Sequence, residues 1–281
     1  MPDKSWDLTI RPKKNLFDIN LKELWQYRDL VMLFVRRDFV SKYKQSILGP
    51  AWFIIQPLLT TVMFTVVFSN IAGISTNGLP PMLFYMAGTV GWTYFATSLT
   101  ATSETFIANA AIFGKVYFPR LVTPISIVMS NLIQFGIQFS FLLAFMLFFW
   151  LRGVSFSPNI YILLVPYLIL LMAGLGLGFG IIISSLTTKY RDLKFLVQFG
   201  VQLWMYATPI VYPASSIPEK YKIFILANPM TPVIETFRYA LLGSGSFSFY
   251  QLLYCTVFAI AVLVIGVLIF NKVERTFMDT V

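Results

Sequence analysis

Histidine is absent from the 281 residues, and cysteine occurs once, as Cys255 inside an apolar run. Without histidine there is no zinc site of the usual Cys/His kind and no Ser-His-Asp catalysis. A single cysteine rules out an internal disulfide. Charge is scarce: 12% of residues are charged, where soluble globular chains use about a quarter. Nucleotide-binding sequence of the form GxxxxGK[ST] is missing, since Gly114-Lys115 has neither the upstream glycine nor the following hydroxyl. The start of the chain mixes basic and acidic residues and lacks the short apolar core of a cleavable signal peptide, so the N-terminus is predicted to be retained.

What remains is apolar, with 57% hydrophobic residues and a mean hydropathy of +0.74. A membrane span needs roughly 20 mostly apolar residues. Windows of that kind fall at 47–69, 82–103, 121–151, 160–186, 195–213 and 250–270, and none contains Lys, Arg, Asp or Glu. The chain therefore reads as an all-α polytopic membrane protein with six transmembrane helices. It divides into a 1–46 N-terminal segment, a 47–271 transmembrane domain and a 272–281 tail. With the N-terminus in the cytoplasm, the outer segments hold only Arg152, Lys220, Lys222 and Arg238 of the 21 Lys and Arg. The positive-inside rule then predicts both termini in the cytoplasm. The net charge of +9 is met by anionic headgroups and calls for no nucleic acid.

Residues 21–46 place Leu21, Leu24, Trp25, Met32, Val35, Phe39 and Tyr43 on one helical face, with Glu23, Gln26, Arg37, Ser41 and Lys44 opposite. That pattern predicts an amphipathic helix in the membrane interface. A soluble juxtamembrane helix is the other reading. Arg28 interrupts the apolar stripe, and Leu30 and Phe34 interrupt the polar one, as in a helix pressed between lipid and a second protein surface. Arg36 adds to its basic character, and Gly49-Pro50 marks a hinge into the first span.

Span three carries Asn131, Gln134 and Gln138 on one face, and span five carries Gln198 and Gln202. Amides facing hydrocarbon are costly, so these faces serve either interhelical packing or a wet conduit. Gly174, Gly176, Gly178 and Gly180 form two overlapping small-xxx-small pairs that permit close helix approach. The outer segment 214–249 is apolar but broken by Asn228-Pro229 and Pro232, predicting two short re-entrant helices before the last span. The loop NAAIFGKVYFPR sets Ile112, Phe113, Val116, Tyr117 and Phe118 around Lys115 and Arg120, ending at Pro119. It suits docking into a soluble partner, or a helix end anchored by interfacial aromatics. Uncharged spans disfavour ion-coupled transport, and no selectivity-filter signature or inverted repeat is seen. Glu104, Asp192, Glu219 and Glu235 stand singly, which argues against a glycan-modifying enzyme. A channel or scaffold would need no energy source at all.

KYKQSILGPAWFIIQPL, KVYFPR, TTKYRDLKF, TPIVYPASSIPEKYK followed by NPMTPVIETFRYALLG, and VERTFMDTV together resemble permease subunits of polysaccharide-exporting ABC transporters of the ABC-2 type. The N-terminal WDLTIRPKKNLFDINLKELWQYRDLVMLFVRRDFV is most similar to the O-antigen branch. Capsule and teichoic-acid exporters share the later motifs. One departure is Leu121, where the family often has an acidic residue after KVYFPR. The resemblance implies a homodimer above a separate ATPase dimer, with ATP and magnesium on that partner and no cofactor on this chain. The cargo implied is a lipid-linked O-antigen-type polysaccharide; capsular polysaccharide, teichoic acid or a hydrophobic drug would use the same mechanism. It further implies that Trp25, Arg28, Arg36, Arg37, Phe39 and Tyr43 lie at the surface against the ATPase. Coupling would run through Lys115, Val116, Tyr117, Phe118, Pro119 and Arg120, with Tyr190, Arg191 and Asp192 beside them. Sugars stack on rings and hydrogen-bond to amides. Asn131, Gln134, Gln138, Gln198, Gln202, Trp204 and Tyr206 are accordingly candidate conduit residues.

Overall fold

The computed structural model describes residues 21–41, 44, 47–190 and 192–277, and among them every regular element is helical. Two short helices open the described chain, α1 (Leu21–Gln26) and α2 (Arg28–Ser41). The backbone turns at Gly49, whose φ of +50° is a conformation glycine adopts without a Cβ penalty. Pro50 then opens a single 3-10 turn, Gly49–Ala51, that leads into α3 (Trp52–Phe64). Pro57 lies inside α3, and the helix widens into a π-helical stretch over Thr65–Ile71.

The long elements that follow are α4 (Pro81–Ser103), α7 (Val122–Leu151), α8 (Val165–Thr187) and α12 (Phe249–Phe277). Between them lie α5 (Thr105–Ala108), α6 (Ala110–Phe113), α9 (Leu193–Tyr206), α10 (Glu219–Ala227) and α11 (Met230–Leu242). Four stretches are long and apolar enough to cross a membrane: Gly49–Ile71, Val122–Leu151, Ile160–Thr187 and Phe249–Val273.

The other two expected spans differ from that description for physical reasons. The expected 82–103 span is the helix α4, but its hydroxyls and glycines lower its hydropathy and most of it is buried in the centre of the bundle. The expected 195–213 span corresponds to α9, which begins at Leu193 and has only 14 residues, about 21 Å against the roughly 30 Å of a hydrocarbon core. Pro209 and Pro213 stop the helix, and the rest of that window is a turn. At the other end of the bundle, α12 runs to Phe277, past the expected border at 271.

Association of helices in lipid depends on close packing more than on hydrophobic transfer. The fourth-span glycines supply it on two faces. A Cβ on Gly176 or Gly180 would meet Ser98 or Thr102 of α4 at 2.9 and 2.5 Å. One on Gly178 would meet Val262 of α12 at 2.9 Å. Residues four apart share a face and residues two apart do not, so α8 is clasped between α4 and α12.

Candidate functional site

One end of the bundle is built around a hairpin. Glu104 leaves helical geometry after α4, and the chain makes the two single-turn helices α5 and α6. Thr187 Oγ1 donates to the Ser103 carbonyl at 2.8 Å, and the Phe106 N–H donates to Ser184 Oγ at 3.4 Å, tying the hairpin to the end of α8. Asn109 Nδ2 donates to the Thr105 carbonyl at 3.0 Å, while its Oδ1 accepts from Arg37 of α2 at 3.5 Å. Phe106 stacks on Phe270 of α12 with centroids 4.6 Å apart. Phe118 packs between Phe113 and Phe34, each at 5.7 Å. Hairpin, surface helix and the ends of α8 and α12 thus share one small apolar core, separate from the main one.

This core sorts the hairpin residues. Phe118 and Pro119 are buried, and Arg120 lies half-buried over the Phe113 ring at 5.5 Å. Lys115, Val116 and Tyr117 are exposed. They curl over a pocket of about 240 Å³ formed by the loop itself. Tyr190 and Asp192, also exposed, lie just past the end of α8 at the same end of the molecule.

The surface helix is two-sided. Val31, Phe34 and Val35 are buried against α7 and the hairpin, whereas Trp25, Met32, Leu33 and Val40 are exposed. Phe34, expected on the polar face, has the chain's own Phe118 as its second neighbour. Arg28 lies over the exposed Trp25 ring at 5.9 Å, and Arg36 is exposed. Arg37 pairs with Asp38 at 2.8 Å and lies 4.5 Å over Phe34; Phe39 packs on Phe53 at 6.3 Å. Tyr43 and Arg191 fall outside the described residues.

The two amide stripes do not form one wall. Asn131 and Gln138 of α7 are buried and Gln134 is half-buried, while Gln198 and Gln202 of α9 are exposed together with Phe195, Phe199 and Tyr206. Trp204 turns inward. Its ring contacts Phe95 at 5.1 Å and Phe179 at 5.3 Å, and its Nε1 donates to Asn228 Oδ1 at 3.0 Å. It anchors α9 to the core.

The opposite end of the bundle holds a constellation that pattern reading missed. Arg238 of α11 is fully buried. Its Nη1 donates to Glu235 Oε1 at 3.0 Å, and its Nη2 donates to the carbonyls of Pro209 and Ile210 at 3.1 and 3.3 Å. The guanidinium lies 3.7 Å over the Phe84 ring, in space left by Gly88, where a Cβ would come within 2.9 Å of Nη2. Glu235 Oε2 accepts from the Ser246 N–H at 3.2 Å. Asn228 completes the work, donating to the Ala207 carbonyl and to Thr208 Oγ1 at 3.1 and 2.9 Å, and accepting from Met230 N at 3.0 Å. Carbonyls freed where α9 breaks are thus satisfied by Asn228 and Arg238, the condition for irregular backbone at membrane depth. Glu235 is therefore not a single scattered acid, and Arg238 is not an exposed outer charge. Their i,i+3 spacing in an apolar helix was the available signal.

A helical membrane bundle with a surface helix bound to a hairpin at one end and a broken helix pair at the other is the frame of a transport subunit. The chain belongs to the ABC-2 type transporter family, whose sequence profile matches residues 29–242, from the start of α2 to the end of α11. It is 32% identical over 253 residues to an O-antigen export system permease protein of Klebsiella pneumoniae, covering 89% of this chain and 94% of the relative. A protein of the same name from Myxococcus xanthus is 26% identical, with 78% of this chain and 82% of the relative covered. The polysialic acid transport protein KpsM of Escherichia coli is 24% identical, with 87% and 93% covered.

Proposed function

We propose that this chain is the membrane subunit of an ATP-driven exporter that moves lipid-linked O-antigen-type polysaccharide across the bacterial inner membrane. The observation that carries the reading is the 32% identity to an O-antigen export permease along nearly the whole of both chains. The polysialic acid transport protein is more distant at 24%, and a capsule polysaccharide export protein of Neisseria meningitidis at 20%, so capsular polysaccharide is the second reading. The subunit crosses six times, with α4 and the short α9 as the additional spans and both termini cytoplasmic. Two copies form the conduit, and a separate ATPase dimer binding ATP and magnesium sits beneath them.

Lys115, Val116 and Tyr117 are the docking face of the hairpin, because they are exposed while the rest of the loop is held inside. Phe118 is the hinge pin behind that face. An ATPase that pushes the hairpin would move α2, α8 and α12 with it through the shared aromatic core, a rigid transmission of the kind seen in subunit rotations.

The test is co-purification with the product of any adjacent ABC ATPase gene, together with glycan display on cells. Wild type should bring down the ATPase and support display. The Lys115→Glu, Tyr117→Ala double variant should insert normally but lose at least about tenfold in complex affinity, the loss of roughly 1.4 kcal/mol. If no ATPase binds and display continues without one, the exporter reading fails.

A further inference from the structure

The end of the bundle opposite the hairpin carries a half-enclosed pocket of about 250 Å³ between α10, α11, the 243–246 turn and the start of α12. Its size is below the ~300–1,000 Å³ of sites that take drug-sized molecules, which leaves room for one ring and not for a chain segment. Ile217 and Ile225 supply an apolar wall, and Asn77, Ser215 and Gln251 bring hydroxyl and amide groups to its edge. The Asn77 and Gln251 amides make no side-chain hydrogen bond among the described residues and are free to serve a ligand.

The buried Glu235 carboxylate lines the same pocket. Arg238 at 3.0 Å balances its charge, so the pocket does not carry the unpaired negative field that would collect a free cation. An ionised carboxylate has about four acceptor positions, and Arg238, the Ser246 N–H and hydroxyl and the Ala214 N–H take them, so a ligand would be met by the uncharged groups at the pocket's edge. Lys222 at the edge is paired with Glu219 at 3.2 Å. An apolar wall facing several weak, uncharged donors and acceptors suits a pyranose, which offers one apolar face and a ring of hydroxyls.

We propose that this pocket binds a single sugar ring of the exported glycan as it leaves the subunit. The cargo and the side of the membrane rest on the exporter reading; the binding chemistry rests on the pocket. A bound ring here would hold the emerging chain against α10 and α11 between steps and oppose its return.

The assay uses the full chain in lipid nanodiscs, with no ATPase and no lipid carrier. Saturation-transfer NMR is recorded with the methyl glycosides of glucose, galactose, mannose and N-acetylglucosamine. At least one glycoside should receive saturation from the protein and not from empty nanodiscs. Gln251→Leu, which removes one amide, and Ser215→Trp, which fills the mouth from an exposed position, should each weaken that signal about threefold to tenfold, as for a lost hydrogen bond. Thermal unfolding of both variants should match wild type. No transfer to any glycoside, or equal transfer in both variants, overturns the proposal. Absent transfer alongside ATPase-dependent glycan display overturns the pocket alone. Transfer without any ATPase complex overturns the exporter reading and leaves the pocket standing.

Discussion

Arg238 shows how one residue can decide the shape of a membrane protein's interior. A buried guanidinium is costly unless its donors are satisfied and its charge is balanced. Here Glu235 balances the charge, Glu235 and two carbonyls accept from Nη1 and Nη2, and the Phe84 face covers the plane, while Nε has no hydrogen-bond partner among the described residues. Removing one partner strands the other. Glu235→Ala or Arg238→Met should each destabilise the protein by about 3–5 kcal/mol, while Glu235→Leu with Arg238→Met should cost less than either alone. Thermal unfolding of the three variants in detergent gives the ranking directly, and a double variant worse than both singles would refute the pairing argument. The pair was hard to read in the chain, because each residue taken alone looks like an ordinary outer charge. Only the position of Pro209 and Ile210, nearly thirty residues earlier in the chain, shows what the guanidinium caps.

At the scale of elements, α8 carries the packing logic. Its glycines alternate between neighbours because 3.6 residues per turn separates positions two apart to opposite sides. Gly180→Val should break the α4 contact, where even a Cβ would lie 2.5 Å from Thr102, at a cost of about 1–3 kcal/mol. Gly136→Val on α7 has nothing within 4 Å and should change stability by less than about 1 kcal/mol. Membrane accumulation and unfolding midpoints of the two variants provide the comparison. The glycine spacing announced close approach, and the structure supplied the partners. The surface helix followed a similar course. Its polarity pattern announced an interface, but Phe34 on the polar side had no explanation until Phe118 was seen beneath it. The same geometry separates Phe118, buried as an anchor, from Lys115, Val116 and Tyr117, left outside for contact.

For the whole molecule, the two ends differ in kind. The hairpin end has exposed basic and aromatic groups over a small aromatic core, and the other end has a sealed ion pair beside a pocket. If the basic residues set the orientation as proposed, the ends face opposite compartments. The single native thiol makes this easy to check, since Cys255 is buried and its Sγ contacts the Pro229 carbonyl at 3.2 Å. A membrane-impermeant maleimide on intact cells with a permeable outer membrane should label Ser215→Cys and leave Tyr117→Cys unlabelled. Tyr117→Cys should react only after lysis, and wild type should react in neither state. The reverse labelling would invert the topology.

Composition and periodicity by themselves determined that the chain is a helical membrane protein and that two short helices precede the last long one. Those properties depend on local sums: apolar length, helical phase, and the positions of proline and glycine. They needed no knowledge of neighbours. Only the tertiary structure decided which hairpin residues are pins and which are contacts, that the amides of α7 face inward while those of α9 face out, and that Glu235 and Arg238 are one buried unit. Each of these turns on which surface a side chain meets after folding, and the elements that supply those surfaces, such as Phe84, Pro209 and Ile210 around the Glu235–Arg238 pair, lie tens of residues away in the chain.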